Sequence, residues 1–254
     1  ASISLSVSTI GSNAFNNCFN LLSITIPDNV TAINDNAFSH CNGLRNLIIP
    51  DSVTFIGEYA FSCCYGIKYL KFPNNITYFN KYSFDRCSGL TSLTIPDSVT
   101  TIKEGAFEAC WSLTNITFHN NLISIHYSAF SRCMALTSIT IPSSVTSIGS
   151  YAFSRCKELV SVTYLGTSDP GKDSKHPFQY CPELKDINLP ADYEDDEFCD
   201  ISLPSKIKRT TIIVSVVVSV VIISIVAIIV VICIKKRRSE TKSDSLVQYY
   251  GIYP

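Results

Sequence analysis

The sequence is poor in the residues on which most metal and phosphate sites depend. Its 254 residues include four scattered histidines, no C-x-x-C pair and no glycine-rich phosphate loop. Zinc sites need clustered Cys and His ligands, so we expect no bound metal. Residues 1–209 carry 15 Lys and Arg against 19 Asp and Glu, a net charge of −4. This part lacks the basic field typical of nucleic-acid binding, and we expect neither a cofactor nor a nucleic-acid partner.

The chain instead repeats one unit every 23 residues, most visibly at a phenylalanine and at the cysteine three residues after it. These positions are Phe15, Phe38, Phe61, Phe84, Phe107, Phe130 and Phe153, with Cys18, Cys41, Cys64, Cys87, Cys110, Cys133 and Cys156. The unit reads L-x-x-I-x-I-P-x-x-V-x-x-I-x-x-x-A-F-x-x-C-x-x. A fixed period of about 20–29 residues with an L-x-x-L-x-L core predicts a leucine-rich-repeat solenoid. We expect a β-rich, α+β solenoid of about seven repeats over residues 1–164.

Each column of the repeat has a physical explanation. In the stretch LTSITIP, Leu136, Ile139 and Ile141 are expected to point inward while Ser138 and Thr140 point outward, as in one strand of a stacked sheet. Proline ends the strand because it has no N–H to donate. The later S-Y-A-F-S-R-C segment is expected to form a turn of helix that points its phenylalanine into the core.

The repeated cysteine has three interpretations: a redox pair, a metal ligand or a core residue. Free cysteine behaves as a small buried hydrophobe, and its counterpart one rung (one repeat) away is about 4.8 Å distant by strand spacing. We therefore predict a reduced, buried ladder. Disulfides between rungs are within reach by distance, but both side chains would have to swing sideways from parallel positions.

The period breaks after Cys156, and residues 165–203 are predicted to form an atypical capping repeat. Cys181 and Cys199 are expected to lie outside the ladder and are the candidate disulfide. The acidic run of this segment is either a calcium site or, the interpretation we favour, a solvated cap. It comprises Asp192, Glu194, Asp195, Asp196 and Glu197.

The end of the chain has a different composition. Residues 204–211 form a short linker, and residues 212–234 are 23 residues without a charge, enough helix to cross a membrane core of about 30 Å. Five basic residues follow this stretch and three precede it, so we predict cytoplasmic residues 235–254 and extracellular repeats at the plasma membrane. Three sequons agree with this single-pass orientation and are candidate glycosylation sites, at Asn29, Asn75 and Asn115.

Both ends of the chain suggest processing or trafficking. The chain begins within a repeat and has no visible signal peptide, so we expect an incomplete or processed product. Cys233 is either an acylation site or a plain buried cysteine. The cytoplasmic tail carries a Y-x-x-apolar sorting candidate for an endocytic adaptor, formed by Tyr249, Tyr250, Gly251 and Ile252.

The outward strand positions are the candidate binding surface. Most are Ser, Thr or Asn, but the second and third rungs place Asn46, Ile48, Tyr69 and Lys71 there. An aromatic beside an aliphatic and a cation is a combination that protein interfaces favour; the alternative is ordinary drift on an exposed face. The recurring carboxylates follow the strand-ending proline, where Asp is a common turn residue, so we predict no enzyme activity. They are Asp28, Asp51 and Asp97.

The repeat LTSITIPSSVTSIGSYAFSRC resembles the BspA-type leucine-rich repeat of surface proteins from anaerobic bacteria and trichomonad parasites. The ending YLGTSDP…PFQYCPELKDINLPADYEDDEFC, with one apolar span and a short tail, is similar to the trichomonad branch. The resemblance implies a surface protein that binds other proteins, acting in adhesion to host cells or extracellular matrix and as an antigen. It carries no catalytic motif. The alternative is an internalising or signalling receptor whose tail matters as much as its repeats.

Overall fold

The computed structural model describes residues 2–203, which belong to one compact unit, Ala1–Leu203. The predicted linker, membrane span, cytoplasmic tail and sorting motif (residues 204–254) lie outside the described residues. Within residues 2–203 there is no α-helix, and hence none long and apolar enough to cross a membrane. The described chain forms a β-solenoid of about eight turns.

Two rows of short parallel strands run along the solenoid. The front strands contain the L-x-x-I-x-I part of each repeat and are β3 (Asn46–Ile48), β5 (Tyr69–Lys71), β7 (Ser92–Thr94), β9 (Asn115–Thr117), β11 (Ser138–Ile141), β13 (Ser161–Tyr164) and β14 (Asp186–Asn188). The back strands are β1 (Thr9–Ile10), β2 (Ala32–Ile33), β4 (Phe55–Ile56), β6 (Tyr78–Phe79), β8 (Thr101–Ile102), β10 (Ser124–Ile125) and β12 (Ser147–Ile148). A terminal antiparallel pair, β15 (Glu197–Phe198) and β16 (Ile201–Ser202), follows them.

Strand pairing keeps the register of the repeat. The back strands pair in the orders β1-β2-β4 and β6-β8-β10-β12, and the front strands in the orders β3-β5, β7-β9 and β11-β13-β14. In β11, Ile139 and Ile141 are buried while Ser138 and Thr140 are exposed, which confirms the predicted alternation. The apolar side of every rung therefore faces one continuous core.

The turn that carries the phenylalanine is not helical, so that expectation is wrong. Glu108 N–H donates within the turn to Gly105 (3.0 Å), but Phe107 N–H donates to Ala129 of the next rung (2.9 Å) and Ala109 N–H to Ser131 (2.8 Å). Gly105 and Ala109 have φ of 58° and 55°, in the left-handed region. A helix would use these N–H groups internally, whereas stacking makes them bonds between rungs.

The phenylalanines form a continuous stack, the Phe ladder. Neighbouring rings from Phe15 to Phe178 are 4.9 to 5.5 Å apart and within 9° of parallel. Phe178 keeps this stack although it follows Phe153 by 25 residues. Phe198 packs on Phe178 at 5.9 Å, and Tyr164 and Tyr193 contact its ring. An aromatic cluster therefore covers this end of the core.

Candidate functional site

The candidate contact residues lie together on the outer side of the front strands. Strand β3 pairs with β5 so that Asn46 is opposite Tyr69 and Ile48 is opposite Lys71. Tyr69 is 54% exposed and Ile48 57%, while Leu47 between Asn46 and Ile48 is fully buried. We call Asn46, Ile48, Tyr69 and Lys71 the front patch. The predicted cluster is therefore one surface that spans two rungs.

Two shallow depressions border the front patch. The first, of about 410 Å³, is lined by Asn46, Ile48 and Lys71 and by the carboxylates Asp28 and Asp51. The second, of about 320 Å³, lies beside Tyr69 and is also lined by Lys68 and Lys71, together with Ser92 and Thr94. Both are open to solvent and lined by strand residues. The arrangement suits a side chain inserted from a partner surface better than an enclosed small molecule.

The rest of the front face is polar and uniform. The outward positions of β7, β9 and β11 are occupied by Ser, Thr and Asn, and they are exposed. A further depression, of about 360 Å³, involves Asn115, Thr117, Ser138 and Thr140. It contains no charged side chain, so it provides a matched comparison for the front patch.

The three sequons have two different environments. The Asn29 amide donates to the carbonyl of Val7 (2.7 Å), and the Asn75 amide donates to that of Asp51 (2.9 Å). Both side chains thus join one rung to the preceding one. Asn115 instead lies at an exposed outward position of β9, on the front face. Glycosylation of the three residues stays a prediction, and Asn115 is the one whose attached glycan would stand on the candidate binding face.

The cysteine column is a buried ladder of free thiols, as predicted. Cys87, Cys110 and Cys133 have no exposed surface, and their thiols donate to the carbonyl of the phenylalanine one rung back, at 3.4 to 3.6 Å. Burial raises the pKa of all three thiols, in Cys133 to about 12. Desolvation disfavours the thiolate, which is the form that binds metals and attacks disulfides.

The two cysteines of the capping repeat lie in different surroundings. Cys181 was expected outside the ladder, and this is wrong: its thiol contacts the Phe153 carbonyl (3.2 Å), as each ladder cysteine contacts the preceding phenylalanine. Cys199 is buried, packs near Gly171, and its N–H donates to Asp169 Oδ1 (3.0 Å). Both are free thiols in the structure, which does not join them in the predicted disulfide.

The carboxylates after the strand-ending proline have structural partners. Asp51 Oδ1 accepts the N–H of Asn74 (2.8 Å), and Asp97 pairs with the exposed His119 (2.8 Å). In the acidic run, Asp195 Oδ2 accepts the N–H of Asp169 (2.7 Å). Within residues 2–203 no group of three or more His, Cys, Asp or Glu side chains is arranged to hold a metal ion. These carboxylates fix turns and the cap.

Sequence reasoning missed a polar cluster at the edge formed by the phenylalanine-bearing turns. Asp85 is buried; its Oδ2 accepts from the Ser62 hydroxyl (3.3 Å), and among residues 2–203 its Oδ1 has no hydrogen-bond partner. Burial raises the pKa of Asp85 to about 6, opposed by the positive charge of Arg86. The signal was present, since Asp85 and Glu108 replace a serine found in this column at Ser39, Ser62, Ser131 and Ser154.

The comparisons with solved structures give the same fold. A leucine-rich repeat protein from Bacteroides ovatus is 25% identical with a TM-score of 0.58, over 78% of this chain and 63% of that one. A leucine rich cell surface protein from Faecalibacterium prausnitzii is 28% identical with a TM-score of 0.48, over 74% and 59%. The chain thus spans less than two thirds of the length of these proteins. No curated protein matches the sequence.

The family comparison is more specific. The family described as BspA type Leucine rich repeat region (6 copies) matches residues 8–133 and 77–195, which together cover most of the chain. Solenoids of this kind are typically scaffolds for protein–protein binding rather than for catalysis. The columns, the rung-to-rung pairing and this match agree, and the chain belongs to the BspA-type leucine-rich-repeat family.

Proposed function

We propose that the solenoid binds a protein partner through the front patch and that this binding serves adhesion of the cell to host cells or extracellular matrix. The observation that carries the proposal is the exposure of Ile48 and Tyr69 side by side on paired strands, within a face that is otherwise Ser, Thr and Asn. Large apolar side chains at such positions cost solubility and add nothing to the core. Interface energy usually concentrates in a few residues of this type.

The charges around the front patch suggest the nature of the partner. Lys71 belongs to the patch and Lys68 lines the adjoining depression, while Asp28 and Asp51 lie at the far side of the other depression. A partner with an apolar or aromatic side chain for the Tyr69 surface and a carboxylate for the lysines would be complementary. We therefore propose a protein ligand that presents an apolar residue next to an acidic one.

The proposed location follows from the sequence. Residues 212–234 would span the plasma membrane once, with the repeats outside and residues 235–254 in the cytoplasm. An adhesin of this design needs only the span as an anchor, because its binding energy comes from the repeats.

The test is a double variant of the patch. Tyr69→Ser with Lys71→Thr converts the third rung to the local background, and adhesion to cells or matrix should fall at least several-fold while the thermal transition stays within a few degrees of the parent. The matched control is Ser138→Ala with Thr140→Ala, at equivalent exposed positions of β11, which should bind normally. Unchanged adhesion in the patch variant would place the binding surface elsewhere.

An internalising or signalling receptor is the second candidate, favoured by the sorting motif at Tyr249, Tyr250, Gly251 and Ile252. Deleting residues 239–254 separates the two. An adhesin should keep its adhesion after the deletion, whereas a receptor should keep binding and lose uptake or signalling.

A further inference from the structure

Cys181 occupies the last position of the cysteine ladder. Its thiol contacts the Phe153 carbonyl at 3.2 Å, and the neighbouring Phe178 ring stacks on Phe153 at 5.3 Å. The ladder cysteines from Cys41 to Cys156 are fully buried, but Cys181 is only partly buried. The ladder therefore ends in a thiol that solvent can reach.

A surface hollow leads to this thiol. It has a volume of about 510 Å³ and is lined by Lys157, Phe178, Tyr180, Cys181 and Pro182. Arg155 lies over the Tyr180 ring, 5.1 Å from its centre. The thiol thus lies in a concave site with an exposed ammonium in its wall and a guanidinium nearby. A small anionic molecule fits such a site by both size and charge.

The neighbouring rung supplies a second thiol. Cys156 hydrogen-bonds to the Cys181 sulfur, and this bond lowers the pKa of Cys181, against the effect of its partial burial. In Cys156 itself, burial raises the pKa. Among the ladder thiols, the one that solvent reaches is therefore also the one whose thiolate is favoured, and a lower pKa increases the reactive fraction at neutral pH.

We propose that Cys181 is a thiol-modification site that reacts with small anionic disulfides of the glutathione class, and that Cys156 then closes a disulfide between neighbouring rungs. In the first step the Cys181 thiolate attacks one sulfur of the small disulfide, forms a mixed disulfide and releases one small thiolate. In the second step the Cys156 thiol loses its proton to solvent and attacks Cys181 Sγ, which releases the second small thiolate. The two protein thiols lose two electrons and the small disulfide gains them.

The geometry suits this partner better than Cys199. Residues stacked one rung apart are about 4.8 Å from each other at the backbone, within the Cα separation of about 4.4–6.8 Å that disulfides span. Because one side of Cys181 is open, its side chain has room to rotate toward Cys156. Cys199 is buried outside the ladder, and burial together with the negative charge of Asp169 raises its pKa.

The experiment uses the purified full chain in its reduced form with oxidised glutathione as the probe. Samples are quenched with acid over time and mapped by mass spectrometry after trypsin digestion; the peptide of residues 176–185 contains Cys181 as its single cysteine. We expect the glutathione adduct on Cys181 to form roughly tenfold faster than on Cys18, the partly buried cysteine at the other end of the ladder. A slower Cys156–Cys181 disulfide should follow, with two reduced glutathiones released per chain.

Three variants sharpen the result. Cys181→Ser should abolish both steps, Cys156→Ala should stop the reaction at a lasting adduct on Cys181, and Cys199→Ser should change neither. If Cys156→Ala unfolds, the mapping of the parent chain decides alone. A Cys181–Cys199 disulfide, an adduct that never closes in the parent chain, or equal rates at Cys181 and Cys18 would each overturn the proposal.

Discussion

Replacing Phe107 with Ala should be among the most damaging single changes in the solenoid. The side chain is fully buried, and its ring lies between those of Phe84 and Phe130, 5.5 Å from each, with Phe79 in edge contact at 4.9 Å. Backbone hydrogen bonds on both sides fix the neighbouring rungs, so the two flanking rings cannot close the gap. We expect a loss of about 4–5 kcal/mol, the upper part of the range for a buried phenylalanine.

Phe15→Ala is the matched control. Phe15 belongs to the same column but is only partly buried and stacks on one ring, that of Phe38 at 4.9 Å. Its loss should cost roughly 1–2 kcal/mol, because less surface and one fewer aromatic contact are removed. Urea denaturation followed by circular dichroism gives both values. Hydrogen exchange should show the rungs of Phe84 and Phe130 losing protection first in Phe107→Ala, since each rung contacts only its neighbours. Equal losses in the two variants would refute this reasoning.

Two further predictions concern buried ionisable groups. Cys87, Cys110 and Cys133 should react with a thiol reagent slowly in the folded chain and fully after unfolding without reductant; fast labelling of the native protein would contradict their burial. Asp85 binds its proton more tightly in the folded than in the unfolded state, because its pKa is raised to about 6. Its contribution to stability therefore falls as pH rises from about 4 to about 6, by roughly 2 kcal/mol. Asp85→Asn should remove this slope from the free energy of unfolding, and a slope that persists unchanged in the variant would assign it to other groups.

The strand alternation and the core were predictable because the period fixes them. One residue type recurs in one column, so Leu47 or Phe107 could be assigned to the core by counting, and the structure buries both completely. The conformation of the turn could not be found this way. Ala and Arg favour helix, but Ala109 and Arg132 adopt positive φ because the N–H groups of this turn bond to the next rung. Such a bond depends on stacking, which a single repeat does not reveal.

The candidate site was partly predictable for the same reason. Tyr69 and Ile48 stand out against a Ser and Thr background, so their joint exposure follows from the register. Cys181 was misplaced because 25 residues, not 23, separate Phe178 from Phe153, and the two extra residues hide a column that the structure restores. Asp85 was overlooked because a charged residue in a serine column was taken to be exposed.

The hydrogen bonds between rungs have a mechanical consequence. They run from each rung to its neighbour, as from Phe107 to Ala129 and from Phe130 to Ala152, and so lie along the direction in which the rungs stack. A pull between the two ends of the solenoid therefore loads the interfaces in series, and the weakest one sets the force at which the chain begins to extend. Adding rungs lengthens the assembly without strengthening it. A ligand held across β3 and β5 would reinforce one such interface and move the first break to another.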